Sequence, residues 1–172
     1  MSKKDLRKYL KDLKKKQLEE QVLDLYDRFK DVKEYYTFIF NPNELKILEE
    51  SKFKISKEYF PLNGRKPKAR RSIAQKMIRK YQTLQVDPQV ISEIMIYNIE
   101  ITQTYNDQKS INQEAFYKSV LNSFREAIDF IQAHHLLFDF KDRIERIVEK
   151  AVKQDWFNHI AFENKWSETR KD

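Results

Sequence analysis

Apolar residues recur every three or four positions along most of the chain, which is the spacing of one face of an α-helix. No segment is convincing as a strand. The pattern therefore predicts an all-α protein, a compact bundle of seven to eight helices. The predicted helices are Lys3–Leu13, Lys16–Ile39, Pro42–Tyr59, Pro67–Leu84, Pro88–Tyr105, Gln113–His135, a seventh that Asp139 caps, and a short last helix in the aromatic tail 154–166 that folds back onto the core.

The helix boundaries carry recognisable signals. Asn41-Pro42 and Asp87-Pro88 each pair a capping side chain with a proline at the first helical position. Short connections between long helices predict antiparallel neighbours, and the fourth and fifth helices allow a HEAT-like pair. We interpret residues 1–172 as a single all-helical domain.

Composition agrees with this fold and removes several function classes. One glycine and four prolines are too few for the turns of a β-rich domain. The chain has no cysteine, which excludes disulfides, thiolate metal sites and cysteine nucleophiles. It also has no apolar run long enough for a membrane span and no signal-peptide pattern, so we expect a cytoplasmic protein.

The charge is concentrated in one segment. The net charge is +7, and residues 61–84 contain eight basic and no acidic side chains, so the rest of the chain is close to neutral. The candidate anion-binding residues all lie in this segment. They are Gly64, Arg65, Lys66, Lys68, Arg70, Arg71, Lys76, Arg79 and Lys80.

The position of these cations at a predicted helix start favours an anionic partner. Unpaired N–H groups give a helix N-terminus a partial positive charge, so basic residues there repel it unless an anion is bound. Such N–H groups together with Arg and Lys side chains suit a phosphate. A helical projection from Pro67 places Lys68 outside and Arg70 within the apolar arc. Arg70 would then pair with an inward carboxylate, for which Glu93 and Glu100 are candidates, reach back past the helix end, or bind a ligand.

Three interpretations of the basic segment remain open. In the first, the segment is a solvated face or pairs with the acidic residues of 85–140. In the second, it binds a nucleic-acid backbone or another polyphosphate. In the third, it binds an acidic protein surface or membrane lipid. The charge predicts phosphate contacts alone, because no base-reading motif is present. Our working hypothesis is a non-enzymatic binding module for an anionic partner. The alternative is a structural or adaptor protein that binds another protein, with the basic segment neutralised within the chain.

Two adjacent histidines are the other candidate for chemistry. His134 and His135, with Asp139, could serve a metal or a hydrolase, but both fall on the apolar arc of the predicted helix and lack the i, i+4 spacing of helical zinc sites. We therefore predict packed histidines, no metal and no cofactor. Because no catalytic motif is present, a non-enzymatic function is favoured.

Three stretches of the sequence carry a resemblance to a known family. SKKDLRKYL, QVLDLYDRFKDVKEYY and especially ISKEYFPLNGRKPKARRSIAQK resemble an uncharacterised family of small bacterial proteins, a domain of unknown function. The similarity runs through about residue 105, including YNIEI, and fades after it. The resemblance implies a bacterial cytoplasmic setting and supplies no activity, ligand or catalytic residue.

Overall fold

A computed structural model describes residues 1–109 and 111–170, and within these ranges it contains nine helices and no strand. The predicted all-helical class is confirmed, and the count of seven to eight was close. The HEAT-like pairing stays a prediction. The helices are α1 (Lys3–Lys11), α2 (Lys15–Arg28), α3 (Lys30–Phe40), α4 (Glu44–Tyr59), α5 (Arg71–Thr83), α6 (Pro88–Gln108), α7 (Glu114–Ala133), α8 (Leu137–Lys153) and α9 (His159–Thr169).

The chain divides into two compact units, Met1–Asn43 and Glu44–Asp172, of which positions 110, 171 and 172 lie outside the described residues. The first unit holds α1 to α3, and no residue of these three helices is buried. The single helix predicted for 16–39 is wrong, because Phe29 is extended, with φ −116° and ψ 115°, and separates α2 from α3. Whether the two units form one domain stays a prediction.

The second unit is built around α6, which packs against α4, α5, α7 and α8. Its start is the predicted one: the Asp87 carboxylate accepts a hydrogen bond from the Gln89 amide at 2.7 Å, and Pro88 is the first helical residue. Ile94, Ile96 and Ile99 are fully buried. Because this helix has neighbours on several sides, its buried residues are not confined to one face.

The aromatic tail folds onto this core. α9 packs against α7 and α8. Trp156, Phe162 and Trp166 are buried, and the rings of Phe162 and Phe124 lie 4.8 Å apart. The tail therefore completes the second unit.

Three helices end in left-handed residues that are not glycine. Gln85, His135 and Asp155, which follow α5, α7 and α8, have φ values of 56°, 60° and 50°. After each, the next amide donates to a carbonyl five residues earlier, as in a Schellman motif. None of the described helices is long and apolar enough to cross a membrane.

Candidate functional site

The basic residues 65–70 lie in the loop between α4 and α5. The prediction that a helix begins at Pro67 is wrong, because α5 begins at Arg71. Ala69 has a φ of 48°, which a helix does not allow. The amides of Lys68 and Ala69 donate to the Glu58 carbonyl at 3.0 and 2.8 Å, so the C-terminal turn of α4 holds this part of the loop.

Arg70 meets a carboxylate of its own chain. Its Nε and Nη2 donate to the two carboxylate oxygens of Glu58 at 2.8 and 2.7 Å. This hydrogen-bonded pair lowers the pKa of Glu58 against the opposing effect of burial. The predicted inward orientation of Arg70 is wrong, since it is the N-cap residue and its side chain is half exposed. Glu93 and Glu100, the expected partners, lie elsewhere.

Around the same loop, cations line an open pocket of about 410 Å³. Among the described residues, Lys57, Arg65, Lys66 and Lys68 make no ion pair, and Glu58 is the one carboxylate in the lining. We call this the loop pocket. Its full lining is Lys57, Glu58, Pro61, Leu62, Asn63, Arg65, Lys66, Lys68 and Arg70.

Gly64 serves the backbone of this loop. Its φ is +67°, a conformation that other residues rarely adopt. No atom lies within 4 Å of the position that a Cβ would take, so the glycine is not required for close approach of another group.

The inward arginine is Arg71, which is only 8% exposed. Its Nη1 donates to Asn98 Oδ1 and Thr102 Oγ1, both at 2.9 Å, and its Nη2 donates to Ser123 Oγ at 2.8 Å. The Asn98 carbonyl and the Tyr59 hydroxyl lie at 3.2 and 3.3 Å from Nη1. A buried cation normally has a carboxylate partner, because removing its hydration is costly. Here all five acceptor atoms are neutral.

A sequence signal for Arg71 exists, although the projection missed it. Arg71, Ala74 and Ile78 lie at i, i+3 and i+7, and all three are buried. On α6, Asn98 and Thr102 lie one turn apart inside an apolar stretch, and both are buried. The contact of Arg71 with Asn98 and Thr102 is therefore predictable, because a polar pair on the buried face of one helix can pair with an arginine on the buried face of its neighbour.

The remaining candidate cations lie on α5, outside the loop pocket. Lys76, Arg79 and Lys80 are all exposed. Arg79 lines a second pocket, of about 360 Å³, that α5, α6 and α7 enclose. The nine candidate residues therefore do not form one patch.

The carboxylates predicted to pair with Arg70 form ion pairs with Arg143 of α8 instead. Arg143 Nε and Nη2 donate to Glu100 at 2.8 and 2.7 Å, and its Nη1 bonds Glu93, which also accepts from Lys52 Nζ at 2.7 Å. Gln103, on the same helix as Glu93 and Glu100, also contacts α8. It is buried, and its Nε2 donates to the Ile147 carbonyl at 2.8 Å.

The two histidines are not packed inside. α7 ends at Ala133, so His134 and His135 follow the helix and are both exposed. The ring of His134 lies beside that of Phe130, with ring centroids 4.3 Å apart and the planes tilted by 48°. Across the part of the chain that the structure describes, no group of three or more His, Asp or Glu side chains could hold a metal ion.

Comparison with known proteins places the chain in a family without an assigned activity. No curated protein and no solved structure matches it. The sequence does match a family of unknown function (DUF6155) over residues 1–169. The expectation that the similarity fades after residue 105 is wrong, since the match includes α7, α8 and α9. The chain therefore belongs to this family of unknown function.

Proposed function

We propose that the protein is a non-enzymatic binding module that holds phosphate groups of a nucleic-acid backbone or another polyphosphate in the loop pocket. The observation that carries the proposal is the charge of its lining. Lys57, Arg65, Lys66 and Lys68 surround one carboxylate, and Arg70 already neutralises that carboxylate. Clustered cations of this kind attract polyanions and raise their local concentration. The proposal includes a cytoplasmic setting.

The loop backbone supports this use of the side chains. The carbonyl of Glu58 accepts from Lys68 and Ala69, and its carboxylate accepts from Arg70. The base of the loop is therefore fixed to α4 before any ligand arrives, which reduces the entropy cost of binding. Lysine and arginine contacts to phosphate fix position without reading sequence. We therefore expect binding that varies little with nucleotide sequence.

The test is a titration of labelled duplex DNA, single-stranded RNA and inorganic polyphosphate at several salt concentrations. Phosphate-driven binding weakens steeply with salt, because bound counterions are released. The triple variant Arg65→Ala, Lys66→Ala, Lys68→Ala should flatten the logarithmic salt dependence for DNA by about three units, because each phosphate-binding cation accounts for about one unit of the slope.

A control variant separates the pocket from overall charge. Lys109, Arg125 and Lys141 are exposed cations outside the loop pocket. Replacing these three with alanine lowers the net charge by the same amount and should leave most of the affinity. Equal losses from both triple variants, or no binding of any of the three polyanions at low salt, would contradict the proposal.

A second candidate function, an adaptor for another protein, has its own support in the first unit. α2 and α3 form an apolar groove of about 460 Å³, and in it Leu23 and Phe40 are 63% and 75% exposed. Exposed apolar patches of this kind often mark protein interfaces. The full chain should capture a protein from its native lysate, and Leu23→Asp with Phe40→Asp should abolish the capture. Unchanged capture by that variant would exclude this groove.

A further inference from the structure

We propose that the second pocket, between α5, α6 and α7, binds the carboxylate group of a small organic acid. Its volume of about 360 Å³ falls in the range of small-molecule sites. We call it the α5–α7 pocket. It shares no lining residue with the loop pocket, so the inference does not depend on the proposed polyanion binding. Its lining is Gln75, Ile78, Arg79, Gln82, Met95, Asn98, Ser123, Glu126, Asp129 and Phe130.

The first indication is an amide group at the floor of the pocket. Asn98 lines the pocket, is 1% exposed, and its Oδ1 accepts a hydrogen bond from Arg71. That bond fixes the orientation of the amide. The Nδ2 atom of Asn98 has no hydrogen-bond partner among the described residues. Buried polar groups are nearly always paired, so an unpaired donor on a residue that lines a pocket favours a ligand that supplies an acceptor there.

A second donor lies beside it. Ser123 also lines the pocket, and its Oγ accepts from Arg71 Nη2 at 2.8 Å. Because the guanidinium cannot accept, the hydroxyl hydrogen of Ser123 stays available to donate. Arg71 thus binds the acceptor atoms Asn98 Oδ1 and Ser123 Oγ. The Nδ2 hydrogens of Asn98 and the hydroxyl hydrogen of Ser123 remain to be donated to a ligand.

The charge behind these donors selects an anion. Arg71 has no carboxylate partner within the described residues, so its positive charge is balanced by dipoles alone. Two donors backed by an unbalanced cation form a site for the oxygens of a carboxylate, since hydrogen bonds to charged acceptors are the stronger ones. The exposed Arg79 at the rim adds a second cation.

The pocket walls define the rest of the ligand. Ile78, Met95 and Phe130 provide an apolar surface, which favours an organic acid over inorganic phosphate. Glu126 on the rim makes no ion pair among the described residues. Asp129, also on the rim, is paired with Lys165. An amino acid, whose ammonium group complements Glu126, and a simple carboxylic acid share the same carboxylate chemistry.

The experiment titrates the full chain with benzoate, succinate and L-leucine, and with the amides benzamide, succinamide and L-leucinamide as neutral-group controls. The side-chain amide signal of Asn98, followed by NMR, should shift saturably with at least one acid, at concentrations of about 1–20 mM or below. Its amide counterpart should leave the signal unchanged. If leucine binds more tightly than the two simple acids, the ligand class is an amino acid. If the simple acids bind more tightly, the ligand class is a simple carboxylic acid.

Asn98→Asp is the decisive variant. It keeps the side-chain shape, gives Arg71 a carboxylate partner and replaces the free donor with a negative oxygen. This variant has no Asn98 amide signal, so binding to it and to the wild type is compared through the backbone amide signal of Ser123, which lines the same pocket. The affinity for the acid should fall at least about tenfold, because a charge-assisted bond is lost and repulsion replaces it. Asn122→Asp is the matched control: the same chemical change at an exposed site on α7 should alter affinity less than about twofold.

Arg79→Gln provides a variant that does not depend on the buried network. Arg79 is exposed, so the protein should fold normally, and affinity should fall about threefold through loss of a rim charge. The proposal is overturned if no acid shifts the Asn98 signal. It is also overturned if acids and amides act alike, or if Asn98→Asp binds as tightly as the wild type. Should Asn98→Asp fail to fold, an unchanged affinity of Arg79→Gln overturns it.

Discussion

Replacing Arg71 with lysine tests whether this residue, and not its neighbour, is the buried cation. The substitution keeps the charge inside the protein, so the cost of removing its hydration is retained. An alanine would remove the buried charge together with this desolvation cost, which would offset the lost hydrogen bonds and leave the direction of the stability change unclear. Lysine has one nitrogen with three hydrogens, whereas the guanidinium addresses five oxygen atoms with two terminal nitrogens.

The expected loss follows from this geometry. A single nitrogen cannot reach both the Asn98–Thr102 side of the network and Ser123, so at least one bond to the charged group is lost and the others lengthen. A hydrogen bond to a charged group contributes about 1.5–3 kcal/mol. We therefore expect Arg71→Lys to lower the free energy of unfolding by about 2–4 kcal/mol.

Urea unfolding followed by far-ultraviolet circular dichroism measures this loss, and Arg70→Lys is the matched control. Arg70 bonds Glu58 from a half-exposed position, so its replacement should change the stability little. The reasoning fails if the two substitutions have equal effects, or if Arg71→Lys leaves the unfolding midpoint unchanged.

Two further predictions concern parts of the second unit outside the pockets. Burial acts to raise the pKa of Glu93, but bonds from Lys52 and Arg143 lower it below its usual value. The ionised carboxylate therefore stabilises the fold at pH values above its usual pKa, and this stabilisation is lost as the pH falls through the lowered pKa of the folded state. Arg143→Ala should therefore cost about 2 kcal/mol at neutral pH, after allowance for solvent screening, and clearly less near pH 3, as measured by urea unfolding. His135→Gly should raise the free energy of unfolding by about 1 kcal/mol, because the left-handed backbone at this exposed position strains a residue with a side chain; no rise in the melting temperature would oppose this.

The overall class of the fold follows from the sequence because its causes are local. Apolar periodicity predicts most of the helices, and Asp87 caps α6 as expected. The other predicted proline cap is wrong, because Asn41 is the C-cap of α3 and α4 begins at Glu44, two residues after Pro42. The break at Phe29 has no such signal, since neither glycine nor proline marks it. The ends of α5, α7 and α8 are similar cases. These helices end in the left-handed residues Gln85, His135 and Asp155. The usual sequence signal of such an end is a glycine, and the chain has only one.

The candidate site was harder to predict because a contact distant in sequence positions it. The total charge of the basic segment is a property of sequence, but the start of α5 depends on Glu58, whose carbonyl accepts from two loop amides. A helical projection assumes that the helix already exists where the projection begins. Started at Pro67, it assigns Arg70 to the core; in the structure the core position belongs to Arg71.

The bonds to Glu58 thus divide the basic segment into two chemically different parts. On the loop side, Glu58 neutralises Arg70 and leaves Arg65, Lys66 and Lys68 facing outward, where only a large polyanion could engage several of them together. On the helix side, Arg71 is the first residue of α5, and its spacing places it on the buried face with Ala74 and Ile78, so its charge lies in the core. There the charge meets only neutral acceptors, which leaves it able to favour a small anion. One basic stretch of sequence can therefore supply two sites of different size and selectivity, because a single glutamate fixes where the loop ends and the helix begins.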